Sequence, residues 1–196
     1  MTRLLLVRHG ESEWNASGRW QGWADPPLSE LGQLQAQVAA KGVGAMDAIV
    51  ASDLQRASAT AEIIAGELGV GPVIVDAALR ERDAGPWEGM TRHEIEAAYP
   101  GFIESGERPE GYEDDESVLD RVVPALRTLE AAGESVLVVT HGGVIGAVDR
   151  LLGQTHARTP NLGGRVVDVV GGELRPGETI LLIDVHDVRV TAPPEV

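Results

Sequence analysis

Two kinds of segment alternate along the chain: short continuous apolar runs, and longer stretches in which apolar residues return every three or four positions. The runs LLLV at 4–7 and VLVV at 136–139 are bounded by polar and glycine-rich sequence, the pattern of strands buried on both faces. They predict strands at 3–8 and 135–140, with further strands at 48–51 and 73–75. Helical spacing of Leu31, Leu34, Val38 and Ala39 behind Ser29 predicts a capped helix to about Val43. A second helix, capped by Ser52 or Asp53, runs to about Leu68 on Ala57, Ala61 and Ile64, which puts Arg56 in its first turn. Thr91 and Glu94 have capping-box spacing for a short helix ending before Pro100. Helices at 118–132 and 144–152 follow, then short strands over 166–190 joined at Gly171-Gly172 and Pro176-Gly177, and a frayed tail from Pro193-Pro194.

This alternation predicts an α/β fold, a three-layer sandwich with a mainly parallel central sheet flanked by helices. Two segments break the rhythm. Residues 11–27 form a long loop rich in tryptophan, glycine and polar side chains, and loops of that length are usually functional. Residues 101–116 are acidic and irregular and read as the centre of a lid-like excursion, about 88–117, without a core of its own.

Composition narrows the picture. With 196 residues and 43% apolar content the chain suits a single domain, 1–196. A net charge of −15 argues against nucleic acid and anionic membranes as partners, since both require a basic face. The absence of cysteine removes disulfides, thiolate metal sites and cysteine-nucleophile chemistry. No apolar stretch approaches the roughly 20 residues that span a bilayer, and no signal-peptide pattern opens the chain, so a cytoplasmic location is expected. A homodimer is compatible with the sequence and is not specified by it.

The strongest chemical signal is an echo: Arg8-His9-Gly10 after the first strand and His141-Gly142-Gly143 after the strand at 135–140. Ligands of open parallel sheets bind beyond the carboxyl ends of strands, so the two histidines are expected to face one pocket. A neutral imidazole is nucleophilic near neutral pH without a metal. Gly10 is expected to allow a sharp turn and close approach of an anion, and helix N-termini at Arg56 and at Gly142 and Gly143 offer amides to the same anion.

The strings VRHGESEWN at 7–15, SDLQRASATA at 52–61, LRERDAGPWEG at 79–89 and VVTHGG at 138–143 together resemble the histidine phosphatase superfamily, the phosphoglycerate mutase-like family. The resemblance spans residues 3 to about 150. It implies the phosphoglycerate mutase-like fold, His9 as the residue that accepts a phosphoryl group, Glu81 as the proton donor, and Arg8, Arg56 and His141 as the groups that neutralise the phosphoryl oxygens. Gln21 and Gly22 match substrate-contacting positions, Asn15 is a further candidate donor, and no metal or cofactor is implied. Arg80 and Arg82 flank Glu81 and would favour its ionised form unless they point away. Glu88 is the competing carboxylate.

Other residues carry less. Trp14, Trp20 and Trp23 either wall the pocket or pack the loop. His93, His156 and His186 are assigned surface or structural roles, and Glu113 to Glu116 a solvated acidic lid rather than a metal cluster. Activity is expected to be that of a metal-independent phosphomonoester phosphatase acting on a small phosphorylated metabolite, with phosphoglycerate mutase and a catalytically silent phosphate-binding module as alternatives. Against the mutase stand the short segment between Glu81 and His141, the single arginine, Arg108, among the acids of 101–116, and Ala84 where relatives often carry an aromatic. The acidic stretch points to a neutral leaving group such as a sugar or polyol.

Overall fold

A computed structural model describes residues 1–155, 158–184 and 186–191. The expected sites at His156 and Pro193-Pro194 lie outside the described residues. Six strands form one sheet in the order β3-β2-β4-β1-β5-β6. The strands are β1 (Thr2–Arg8), β2 (Ala48–Ala51), β3 (Ile74–Val75), β4 (Ser135–Thr140), β5 (Gly163–Val170) and β6 (Glu173–Leu181). β1 to β4 pair in parallel, while β5 and β6 add antiparallel to β1 and to each other.

The period of two along the strands divides the core. Leu5 and Val7 face the same side as Ile49, Ala51, Leu137 and Val139, and meet Ala39 and Val43 of α2 (Glu30–Val43) and Ala57, Ala61 and Ile64 of α3 (Gln55–Leu68). Leu4 and Leu6 face the other side with Val136 and Val138. They pack on Val118, Val122 and Leu126 of α6 (Asp115–Thr128) and on Val144, Ile145 and Val148 of α7 (Gly142–Leu151). The result is the expected three-layer sandwich.

Several local expectations change. α3 takes Leu54 as its N-cap with no side-chain cap from its own turn, and Asp25 in the long loop accepts the Gln55 N–H at 2.6 Å instead. A loop carboxylate thus pins the helix that carries Arg56. Within 11–27 a short helix α1 (Glu13–Ala16) forms on a Ser12/Asn15 capping box. α6 starts at Asp115, earlier than expected, because Asp114 accepts the Ser117 N–H at 2.8 Å and acids in the first turn suit the helix dipole. Pro176-Gly177 is no turn. It lies within β6, an edge strand that tolerates proline, beside an irregularity between Arg165 and Val167.

The segment expected to form a lid is also more than a solvated excursion. α4 (Arg92–Ala98) and α5 (Phe102–Ser105) close a small cluster of Trp87, Ile95 and Ile103 with Trp20, Tyr99 and Tyr112 around it. Trp87 is fully buried, with Trp20, Tyr112 and Tyr99 edge-on at 5.3, 5.5 and 6.2 Å. Expecting no core here overlooked aromatic residues spread over some ninety positions, which no short window reveals.

Candidate active site

β1 ends at Arg8 and β4 at Thr140, adjacent parallel strands in register, so His9 and His141 emerge side by side. The His9 N–H donates to the Thr140 carbonyl at 3.0 Å, and the two rings lie 5.1 Å apart at 63°. His9 Nδ1 sits 2.6 Å from the Gly10 carbonyl, an acceptor only, so Nδ1 carries the proton and Nε2 keeps its lone pair. Burial, then the charges of Arg56 and Arg8, hold the His9 pKa well below its ordinary 6.5. The ring is neutral.

The peptide around His9 is braced by residues that sequence reasoning missed. Asn161 Nδ2 donates to the His9 carbonyl at 2.7 Å, and the N–H of Leu162, in the left-handed region at φ 57°, donates to the Arg8 carbonyl at 3.0 Å. Thr60 of α3 accepts the Gly10 N–H at 3.0 Å and donates to the Arg56 carbonyl at 2.7 Å, tying the His9–Gly10 loop and the arginine helix together. Asn161 stands in none of the four motif strings, and Thr60 lies in the string at 52–61 without being singled out there. Gly10 is also required by packing: a Cβ there would meet the Gly32 carbonyl oxygen of α2 at 2.6 Å. Its φ is not positive, so close helix approach, rather than a left-handed turn, excludes a side chain.

Arg56 is fully buried and donates through Nε to His9 Nε2 at 3.2 Å, and through its Nη atoms to the Ala24 and Gly22 carbonyls, both at 2.8 Å. Arg8 donates to the Thr159 carbonyl at 3.0 Å. Burial lowers both arginines to about 10, which leaves them charged at neutral pH. His141 is fully buried, and neither ring nitrogen has a hydrogen-bond partner among the described residues. Burial first, then Arg56, His9 and Arg8, hold its pKa well below 6.5. Two orphaned nitrogens beside two cations form a place for anionic oxygens.

Glu81 reaches the start of α7: its Oε2 accepts the Gly143 N–H at 3.1 Å and its Oε1 the Arg82 N–H at 2.8 Å. The flanking arginines turn away to partners of their own. Arg80 makes a bidentate pair with Asp53 at 2.7 and 2.6 Å, and Arg82 pairs with Asp115 and donates to the Glu113 carbonyl at 2.7 Å. Glu88 is exposed and accepts the Ala24 N–H at 2.6 Å, outside the cavity.

One cavity of ≈ 320 Å³ is lined by Arg8, His9, Asn15, Gln21, Gly22, Arg56, Glu81 and Gly142, eight of the nine expected site residues. The ninth, His141, is not part of the lining, and its buried ring sits edge-on to that of His9. Asn15 and Gln21 both use their side-chain oxygens on Ser12, at 3.2 and 2.6 Å, which leaves their NH₂ groups for a ligand. Trp20 lines the cavity. Trp14 packs on Gly89, and Trp23 braces Glu81 from outside by donating to its carbonyl at 2.7 Å, so both readings of the tryptophans hold, each for different residues.

The mouth brings together charges of both signs. Arg19, Arg82, Arg108 and Arg158 line the cavity with Tyr112, and Glu81 is its one carboxylate. The Arg108 guanidinium stacks over Trp87 and Tyr112 at 5.1 and 5.4 Å. Glu113 and Asp115 are engaged by Arg121, Arg82 and Arg150 and, with Asp114, line an adjoining cavity that shares Arg82, Arg108 and Tyr112, while Arg19 pairs with Glu94 at 3.3 Å. His93 and His186 are exposed, as assigned. Among the described residues no three His, Asp or Glu side chains are placed to hold a metal ion, and no helix is long and apolar enough to cross a membrane.

Comparison with known proteins accords with this geometry. A sequence profile of the histidine phosphatase superfamily (branch 1) matches residues 4–180. Glucosyl-3-phosphoglycerate phosphatase of Mycolicibacterium vanbaalenii is 40% identical over 179 residues, covering 83% of this chain and 79% of the relative. A 2,3-bisphosphoglycerate-dependent phosphoglycerate mutase of Methylobacterium radiotolerans is 34% identical over 180 residues, 83% of this chain and 85% of the relative. Among solved structures, a mycobacterial glucosyl-3-phosphoglycerate phosphatase in complex with VO3 superposes with a TM-score of 0.80 at 31% identity, over 89% of this chain and 96% of that one. The chain belongs to the histidine phosphatase superfamily, branch 1.

Proposed function

We propose that this protein is a metal-independent phosphomonoester phosphatase that works through a phosphohistidine on His9, with residues 88–117 as its lid. The observation that carries this reading is the tautomer of His9: Nδ1 is spent on the Gly10 carbonyl, and the lone pair of Nε2 sits beside Arg56 in the cavity that Glu81 also lines. Nε2 attacks phosphorus while the bond from phosphorus to the ester oxygen breaks. Arg8, Arg56 and the amide of Gly142 at the α7 N-terminus, all in the cavity wall, hold the equatorial oxygens, and the unpartnered ring of His141 adjoins them beside His9. Glu81 gives its proton to the departing alkoxide. It then takes a proton from water, whose oxygen attacks phosphorus, and the P–N bond breaks to release phosphate and neutral His9.

The substrate class follows from the mouth. The arginines of the lining, Arg108 above all because Arg19 and Arg82 are paired with Glu94 and Asp115, favour a leaving group that bears an anion of its own. Glucosyl-3-phosphoglycerate, named for the mycolicibacterial relative, carries a carboxylate of this kind. The same arginines favour a second reading, phosphoglycerate mutase, because they supply the carboxylate grip that the segment 101–116 lacks in sequence. Phosphate release in chelator, measured on carboxylated and uncarboxylated phosphomonoesters with both phosphoglycerates included, separates them. Release that favours carboxylated esters supports the phosphatase. Interconversion of the phosphoglycerates without release makes the protein a mutase.

A further inference from the structure

The guanidinium of Arg121, on α6, uses all five of its N–H bonds. Nη1 donates to the carbonyls of Ala78 and Arg80 at 2.8 and 2.7 Å, and Nη2 to the carbonyl of Glu81 at 3.0 Å. The remaining two N–H bonds grip the two oxygens of Glu113, at 3.0 Å from Nε and 2.9 Å from Nη2. Glu113 in turn holds the far side of the same segment. Its carboxylate accepts the Asp83 N–H at 3.0 Å, and its own N–H donates to the Asp83 carbonyl at 2.9 Å. The segment from Ala78 to Asp83, which has only one turn of 3-10 helix at Ala77–Leu79, is therefore clamped before, at and after Glu81.

The clamp has a firm base, since Val122, beside Arg121, and Val118 are fully buried in the core under the sheet. Its geometry also demands arginine. A lysine offers three donors on one flexible atom and cannot reach three carbonyls and both carboxylate oxygens together. Arg121 lies outside the cavity lining and touches no reacting atom. We propose that Arg121, held by Glu113, is the positioning residue that aims the general acid Glu81 at the leaving group, an inference that rests on the reading of Glu81 as the acid.

The test compares kcat/KM for two esters that differ in their need for an acid. An alkyl phosphate needs its leaving alkoxide protonated, whereas p-nitrophenyl phosphate loses a stabilised phenolate unaided. General acids contribute roughly 10²–10⁴-fold, so R121K should lower kcat/KM for the alkyl ester by about 10- to 100-fold and for p-nitrophenyl phosphate only slightly. E113Q, which keeps the arginine, should show the same selectivity more weakly and serves if R121K does not fold. E81Q run alongside separates the two possible failures. An unselective loss in E81Q overturns Glu81 as the acid and the clamp with it. A selective loss in E81Q with an equal loss on both esters, or none, in R121K and E113Q overturns the clamp alone.

Discussion

Glu81 and Gly143 share one space: the Glu81 carboxylate accepts the Gly143 N–H at 3.1 Å and occupies the volume a Cβ on residue 143 would fill. The obstacle is the far end of a flexible side chain rather than backbone, so Gly143→Ala should fold with a melting temperature near the parent's while pushing the carboxylate aside. Its kcat/KM on alkyl phosphates should fall by about 100-fold. Thermal melts beside steady-state kinetics check both halves of the expectation.

Gly10 presents the opposite case, because its missing Cβ is replaced by backbone, the Gly32 carbonyl of α2 at 2.6 Å. Gly10→Ala must separate the helix from the nucleophile loop, and overpacking of this kind costs about 1–3 kcal/mol. Urea denaturation should show a lower midpoint, with the slope unchanged.

Arg108 tests the substrate class. Stacked on Trp87 and Tyr112, it pairs with no carboxylate among the described residues and donates to the Glu107 carbonyl at 2.8 Å. Arg108→Ala should raise KM about tenfold for esters with a carboxylated leaving group, the worth of one charged hydrogen bond. KM for an uncharged sugar phosphate should stay within about twofold. An equal change in both would return the leaving group to the neutral class.

Acid stability should depend on Asp115, which bridges Arg150 and Arg82. The Arg150 hydrogen bonds, with Arg82 adding to them, hold its pKa at about 2, below the ordinary 3.8. A depressed carboxylate stabilises the fold above its unfolded-state value, and that contribution is lost as pH falls from about 4 towards 2. The pair is partly exposed, so salt should weaken it. Asp115→Asn should flatten the fall in stability between pH 4 and 2 in a pH series of denaturation curves.

What was legible in sequence follows from where information is local. The strand runs at 4–7 and 136–139 and the helical spacing of Ala57, Ala61 and Ile64 each lie within one window and each gave its element, and residues from all four motif strings meet at one cavity. Partnerships across the chain were not legible. The acids Glu113 and Asp115 look solvated when read beside one another, and only the fold brings Arg121, Arg82 and Arg150 to them. The same blindness hid the arginines of the mouth, since Arg19, Arg82 and Arg158 enter it from three separate segments. Asn161 supports the nucleophile from more than 150 positions away through a single buried amide, which no spacing rule flags.

The central claim is that phosphate passes through His9 Nε2, and trapping it is the most direct measurement. Protein mixed with a phosphomonoester, quenched in alkali and digested should yield a phosphoryl group on the peptide carrying His9, stable to base and lost in acid as a phosphoramidate is. His9→Ala should give neither label nor turnover. Turnover that persists in His9→Ala, or a label on another residue, would contradict the account.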